Sequence, residues 1–99
     1  MHTIHPDDLR QKIKNKEKIM LLDVRNTDEV EQGFIEGAIN IPLHILPLKF
    51  EEALPDTQAE IICYCESGGR SSRATQFLEE HGYTHVSNLY GGYMIYSLG

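Results

Sequence analysis

No stretch of the sequence approaches the roughly eighteen consecutive apolar residues that a membrane-spanning helix requires. The opening Met1-His2-Thr3-Ile4-His5 has neither the charged start nor the apolar centre of a secretory signal. Membrane insertion is not predicted, and the cytoplasm is the expected compartment. Basic charge is also scarce, with nine Lys and Arg against fifteen Asp and Glu, a net charge of −6 and a pI near 5.2. Nucleic-acid binders need a broad positive surface, so no nucleic-acid partner is expected. The one local basic run, Lys12, Lys14, Lys16 and Lys18, falls at the end of the first predicted helix. It reads as a solvated helix end whose cations complement the helix dipole.

Cysteine is limited to Cys63 and Cys65, two positions apart in one apolar segment. In a strand, such residues stand about 6.5–7 Å apart at Cα, at or beyond the upper limit for a disulfide. Neither a structural bridge nor a resolving pair is predicted, which fits a reducing compartment. The five histidines show no ligand spacing, so neither a metal nor a cofactor is expected. The tyrosines Tyr83, Tyr90, Tyr93 and Tyr96 are expected to pack in the core and turns.

With 99 residues, 40% of them hydrophobic, the chain can build one core and not two. A single domain over residues 1–99 is predicted, and a monomer is expected. Continuous apolar runs alternate with amphipathic stretches, the pattern of an α/β domain with a mostly parallel sheet. Ile19 to Val24 and Glu60 to Cys65 read as strands buried on both faces. Thr3-Ile4, Ala38 to Ile41 and Val86 to Leu89 bring the sheet to five strands. Pro6 followed by Asp7 and Asp8 opens a helix to about Lys14. Asn26 or Thr27 caps a short helix that Gly33 can end. Pro42 and Pro47 divide the next region into turns or short helices. The strongest helix spans about Gly69 to Glu80, with Ala74, Phe77 and Leu78 at core spacing and His81-Gly82 as its stop. A last short helix is expected near Tyr93 to Leu98.

Ligands of open parallel sheets bind beyond the carboxyl ends of the strands. Two such ends carry chemistry: Asp23-Val24-Arg25, and Cys65-Glu66-Ser67-Gly68-Gly69-Arg70-Ser71, which joins a buried strand directly to the strongest helix. Gly68 and Gly69 allow the second segment to curl until successive N–H groups point inward as a nest. A thiolate at Cys65 would sit among those dipoles and the helix terminus, which lowers its pKa and makes it a ready nucleophile. Arg70 and Arg73 are cations at a helix N-terminus, against the dipole preference, and so call for an anion nearby. Cys63 is expected to be core packing.

These residues resemble the rhodanese family over essentially the whole chain. The resemblance rests on Asp23-Val24-Arg25 with Glu29, on Gly33-Phe34-Ile35-Glu36-Gly37-Ala38-Ile39-Asn40-Ile41-Pro42, on Tyr64 to Ser71, and on Asn88-Leu89-Tyr90-Gly91-Gly92, in that order. It implies a three-layer α/β domain with a five-stranded parallel sheet flanked by helices, and a sulfurtransferase that cycles Cys65 between thiolate and persulfide. By the resemblance, the amides from Glu66 through Ser67, Gly68 and Gly69 to Arg70 stabilise the persulfide. Arg70 closes the loop, while Asp23, Arg25 and Ser71 are structural supports. The implied partners are a small sulfur donor, such as thiosulfate, polysulfide or a low-molecular-weight persulfide, and a thiol or sulfur-carrier acceptor. Phe34 and Tyr96 depart from residues common in the family, His and Trp respectively. Glu66 places a carboxylate in the loop that would repel a dianionic donor.

Two other functions use similar parts. Cysteine phosphatases place five residues between Cys and Arg, whereas Cys65 and Arg70 have only Glu66 to Gly69 between them, a ring suited to one extra sulfur. Rhodanese-like modules that only bind partners usually lack the cysteine. The intact loop also suits a protein-to-protein persulfide relay with little small-molecule turnover.

Overall fold

Five short apolar segments form one all-parallel sheet in the computed structural model, which describes residues 1–99. The strands are β1 (His2–Ile4), β2 (Met20–Asp23), β3 (Ile39–Asn40), β4 (Ile61–Tyr64) and β5 (Val86–Leu89), in the order β1-β5-β4-β2-β3. β4 and β2 lie at the centre, in register from Met20 opposite Ile61 to Asp23 opposite Tyr64. All four residues of β4 are buried, as its unbroken apolar run requires of a strand covered on both faces. The helices are α1 (Pro6–Lys14), α2 (Thr27–Glu31), α3 (Leu46–Ala53), α4 (Gly69–Glu80) and α5 (Gly92–Tyr96).

Two hydrophobic clusters divide along the sheet faces and make three layers. On one face Leu46 and Leu54 of the α3 region and Ala74 and Leu78 of α4 pack against Leu22, Ile61, Cys63 and Val86. On the other, Leu9 of α1 packs with Ile4, Leu21, Ile62, Tyr64 and Leu89, joined by Tyr93 and Tyr96 of α5. The alternation of side chains along β4 explains the split, since Ile61 and Cys63 face one layer and Ile62 and Tyr64 the other. The expected fold class is the observed one.

The differences are local. Pro47 does not interrupt a helix but stands in the first turn of α3, where a missing N–H costs nothing. The lysine run straddles the end of α1 rather than lying on it. Lys12 Nζ pairs with Glu17 at 3.2 Å and Glu60 at 3.1 Å, tying the helix end to the start of β4, while Lys16 adopts a left-handed φ of 56°. Tyr83, Tyr93 and Tyr96 pack as expected, but Tyr90 is 61% exposed. No helix is long and apolar enough to cross a membrane.

Candidate functional site

The carboxyl ends of β2 and β4 are adjacent and in register, so Asp23-Val24-Arg25 and the segment after Tyr64 emerge side by side. Cys65 follows β4 directly and is 1% exposed, with its side chain against the larger cluster. The chain then turns through Gly68, whose φ of 114° is closed to ordinary side chains, and enters α4 at Gly69. That turn brings the Gly68 N–H to 3.0 Å from Cys65 Sγ. Ser71, one turn into α4, sets its hydroxyl 3.4 Å from the same sulfur.

The Ser71 hydroxyl has three acceptors within reach and one proton. Besides the sulfur, Gly68 O stands at 3.2 Å and Asn88 Oδ1 at 2.5 Å. The contact to Asn88 is the shortest, and because a hydroxyl proton rotates about its C–O bond, the same group is within reach of a negative charge at Sγ. Asn88 Nδ2 donates in turn to Gly68 O at 3.2 Å, fixing the turn that aims the Gly68 amide. Asn88 sits near the end of β5 and is buried.

Burial acts to raise the Cys65 pKa, but the Ser71 hydroxyl and the amides of Ser71, Gly68 and Ser67 outweigh it and hold the thiol below its ordinary value. For Cys63 burial outweighs the one opposing hydrogen bond, from the Thr75 side chain, and pushes it up to about 12. The difference has a measurable consequence in the native protein. Iodoacetamide should alkylate Cys65 with a pH midpoint below the roughly 8.5 of a free thiol, while Cys63 stays unlabelled. A midpoint at or above that value would remove the electrostatic account of the loop.

Beside the loop lies a buried ion pair. Arg25 is 2% exposed and Asp23 is fully buried. Arg25 Nη2 donates to Asp23 Oδ2 at 2.8 Å and to Gly33 O at 2.7 Å, and Nε reaches Asp23 Oδ1 at 3.1 Å. Its guanidinium lies 4.5 Å from the centre of the Tyr93 ring. Asn40 clamps the segment from β3 by donating to the carbonyls of Asp23 and Arg25, both at 2.9 Å. Glu66 is half-exposed and stands 3.4 Å from Arg25 Nη1.

Arg70 has its anion inside the chain. Its two terminal nitrogens meet the two oxygens of Glu29 at 2.6 and 2.8 Å, a bidentate pair that links α4 to α2. Arg70 thereby holds the Glu29 carboxyl down at about 2. Glu29 also accepts from the Asn26 N–H at 3.1 Å, which closes the first turn of α2. The cation at the start of α4 is thus a brace between two loops.

The far wall is α5. The amides of Tyr93 and Met94 donate to Cys65 O at 2.8 Å and Glu66 O at 3.0 Å. This approach requires Gly92, because a Cβ there would lie 2.5 Å from Glu66 O and 2.6 Å from Cys65 O, at a φ of 63°. Gly92→Ala should therefore destabilise the domain by about 1–3 kcal/mol, from the left-handed backbone and the forced separation. Thermal melts of the variant would measure it, and an unchanged midpoint would show that α5 yields freely.

The sequence reasoning missed Asn88, Gly92 and Tyr93 as parts of the site. A buried polar residue near the carboxyl end of a strand was the available signal for Asn88. Gly92 and Tyr93 depend on how α5 folds back, which no local pattern gives. An open hollow of about 480 Å³ adjoins the loop at Ser67 and Gly68. Two hollows at the opposite end of the sheet, near Glu60 and His85, are remote from the crevice where parallel sheets bind ligands.

The profile of the rhodanese-like domain matches residues 5–97. A sulfurtransferase of Allochromatium vinosum is 35% identical over 92 residues, covering 93% of this chain and 84% of the relative. The thiosulfate sulfurtransferase PspE of Escherichia coli is 40% identical over 70 residues, covering 71% of this chain and 67% of the relative. Among solved structures, a rhodanese-related protein from Thermoplasma volcanium superposes with a TM-score of 0.88 at 30% identity, covering 99% of this chain and 92% of the other.

Proposed function

The chain belongs to the rhodanese-like family, and from that premise we propose that it transfers sulfane sulfur through a persulfide on Cys65. The observation that carries the reading is the pairing of a buried cysteine sulfur with an amide at 3.0 Å and a hydroxyl at 3.4 Å. The Cys65 thiolate attacks the sulfane sulfur of the donor. A bond forms between Sγ and that sulfur, the bond to the rest of the donor breaks, and its electron pair leaves with the remnant, which is sulfite when the donor is thiosulfate. The acceptor, a thiolate or cyanide, then attacks the outer sulfur, and the electron pair of the broken S–S bond returns to Sγ as thiolate.

Each neighbour has a part in this cycle. The Gly68 amide and the Ser71 hydroxyl stabilise negative charge at the sulfur before and after transfer. Asp23 and Arg25 hold the β2 end rigid beneath the loop, and Arg70 with Glu29 braces its exit. Glu66, Ser67 and Gly69 shape the rim that a donor crosses. A phosphatase reading is disfavoured because both terminal nitrogens of Arg70 are committed to the Glu29 carboxylate instead of standing free to clamp a phosphoryl group.

The test is turnover with a sulfane donor and cyanide, read as thiocyanate. Product formed in proportion to active Cys65 is expected. No product from thiosulfate, polysulfide or an organic persulfide, in protein whose Cys65 still alkylates, would refute the proposal.

A further inference from the structure

The loop is short of free positive charge. Both arginines beside it are committed to carboxylates of the chain itself, Arg25 to Asp23 and Arg70 to Glu29. Glu66 adds a third carboxylate on the solvent side, sharing Arg25 at 3.4 Å. Two cations thus face three carboxylates before Cys65 ionises, and a dianion approaching the thiolate meets net repulsion. Arg73, one turn further along α4, is exposed and lines no part of the hollow beside the loop.

That hollow has the opposite character. None of the residues lining its roughly 480 Å³ is charged. It begins at Ser67 and Gly68, the residue whose amide meets Sγ, and runs past Asn88 to Tyr90, Met94 and Ile95. These last three are exposed large hydrophobic residues, Met94 at 47% and Ile95 at 38%. Exposed apolar groups grouped around a hollow mark a binding surface more often than scattered ones do.

We infer that the preferred donor is a small organic hydropersulfide, R–S–SH, whose uncharged apolar R group lies along Tyr90, Met94 and Ile95 while its outer sulfur reaches Cys65. The inference rests on the sulfurtransferase reading of Cys65 and names its substrate class. Such a donor carries at most one negative charge, against two on thiosulfate. In the transfer the Cys65 thiolate bonds to the outer sulfur and the S–S bond of the donor breaks. R–S⁻ departs with the electron pair, and the hydrogen stays on the transferred sulfur. No external oxidant or reductant is required.

The experiment uses the full chain and the straight-chain ethyl, butyl and hexyl hydropersulfides, with thiosulfate alongside. The readout is the second-order rate of appearance of a 32 Da adduct on the intact protein, divided by the rate of each donor with free cysteine. Full burial of a methylene is worth about 0.8 kcal/mol, or roughly fourfold, so an open hollow should give about twofold for each one. The hexyl donor, four methylenes longer, is therefore expected to load about fifteenfold faster than the ethyl donor, and faster than thiosulfate. Met94→Glu should flatten this chain-length dependence, whereas Met94→Leu should keep it. Normalised rates indifferent to chain length, or thiosulfate loading fastest of all, would overturn the inference while leaving sulfur transfer intact. No adduct from any donor would instead overturn the transfer reading on which it rests. The chain-length series on the unmodified protein decides the matter even if Met94→Glu fails to fold.

Discussion

Replacing Cys65 with Ser is expected to lower sulfur transfer by roughly three orders of magnitude or more, the scale on which removing a nucleophile acts, with the fold retained. A serine oxygen can accept from the Gly68 amide and the Ser71 hydroxyl as the sulfur does, so no buried donor is stranded. It cannot form a persulfide. Cys63→Ser is the matched control. Its site is fully buried in the larger cluster, so the variant should lose some stability, about 1–3 kcal/mol for a hydroxyl in apolar surroundings, and keep most of its rate per folded molecule. Thiocyanate assays on both variants, corrected for folded fraction by circular dichroism, separate the two roles. Equal loss in both would mean that Cys65 is not the sole sulfur carrier.

Asp23→Ala should have the largest effect on stability. The substitution leaves Arg25, 2% exposed, without the carboxylate that accepts from its Nε and Nη2. Gly33 O and the half-exposed Glu66 are poor substitutes. Breaking a buried pair from one side costs about 3–5 kcal/mol, a large part of the roughly 5–15 kcal/mol that holds a domain together. In a chain of this size the melting midpoint should fall by at least about 12 °C. The cost comes from a stranded charge rather than from the worth of the pair. Asp23→Leu combined with Arg25→Met should therefore recover at least half of the loss. Urea titrations of the single and double variants would decide this. A single variant within about 1 kcal/mol of the parent would mean that water reaches Arg25.

What the sequence could disclose followed from how local each determinant is. The bounds of α4 are those read from Gly69 to Glu80, because a Gly pair, core spacing at Ala74 and Leu78 and a Gly stop all act within the segment. β5 was equally readable from Val86 to Leu89. The nest around Cys65 was legible for the same reason, as a strand end followed at once by Gly68 and Gly69. Arg70 was legible only as an oddity, a cation at the wrong helix end. Its partner Glu29 lies forty-one positions earlier, and only the parallel crossover brings α2 beside α4. Asn88 and Gly92 enter the sequence reading only within the run Asn88-Leu89-Tyr90-Gly91-Gly92 that carries the resemblance, because their work is done on Ser71, Gly68 and the carbonyls of Cys65 and Glu66. Tyr90 was expected to pack, but the turn after β5 points it outward, beside the hollow that adjoins the loop.

The claim at the centre is that Cys65 carries the sulfur, and peptide-resolved mass spectrometry of the loaded protein tests it most directly. After exposure to a sulfane donor and removal of the excess, a 32 Da increase is expected on the peptide containing Cys65, localised to that residue by fragmentation. It should disappear when cyanide or a thiol acceptor is added, with product formed in equal amount. An adduct localised to Cys63, or one on Cys65 that no acceptor discharges, would contradict the account.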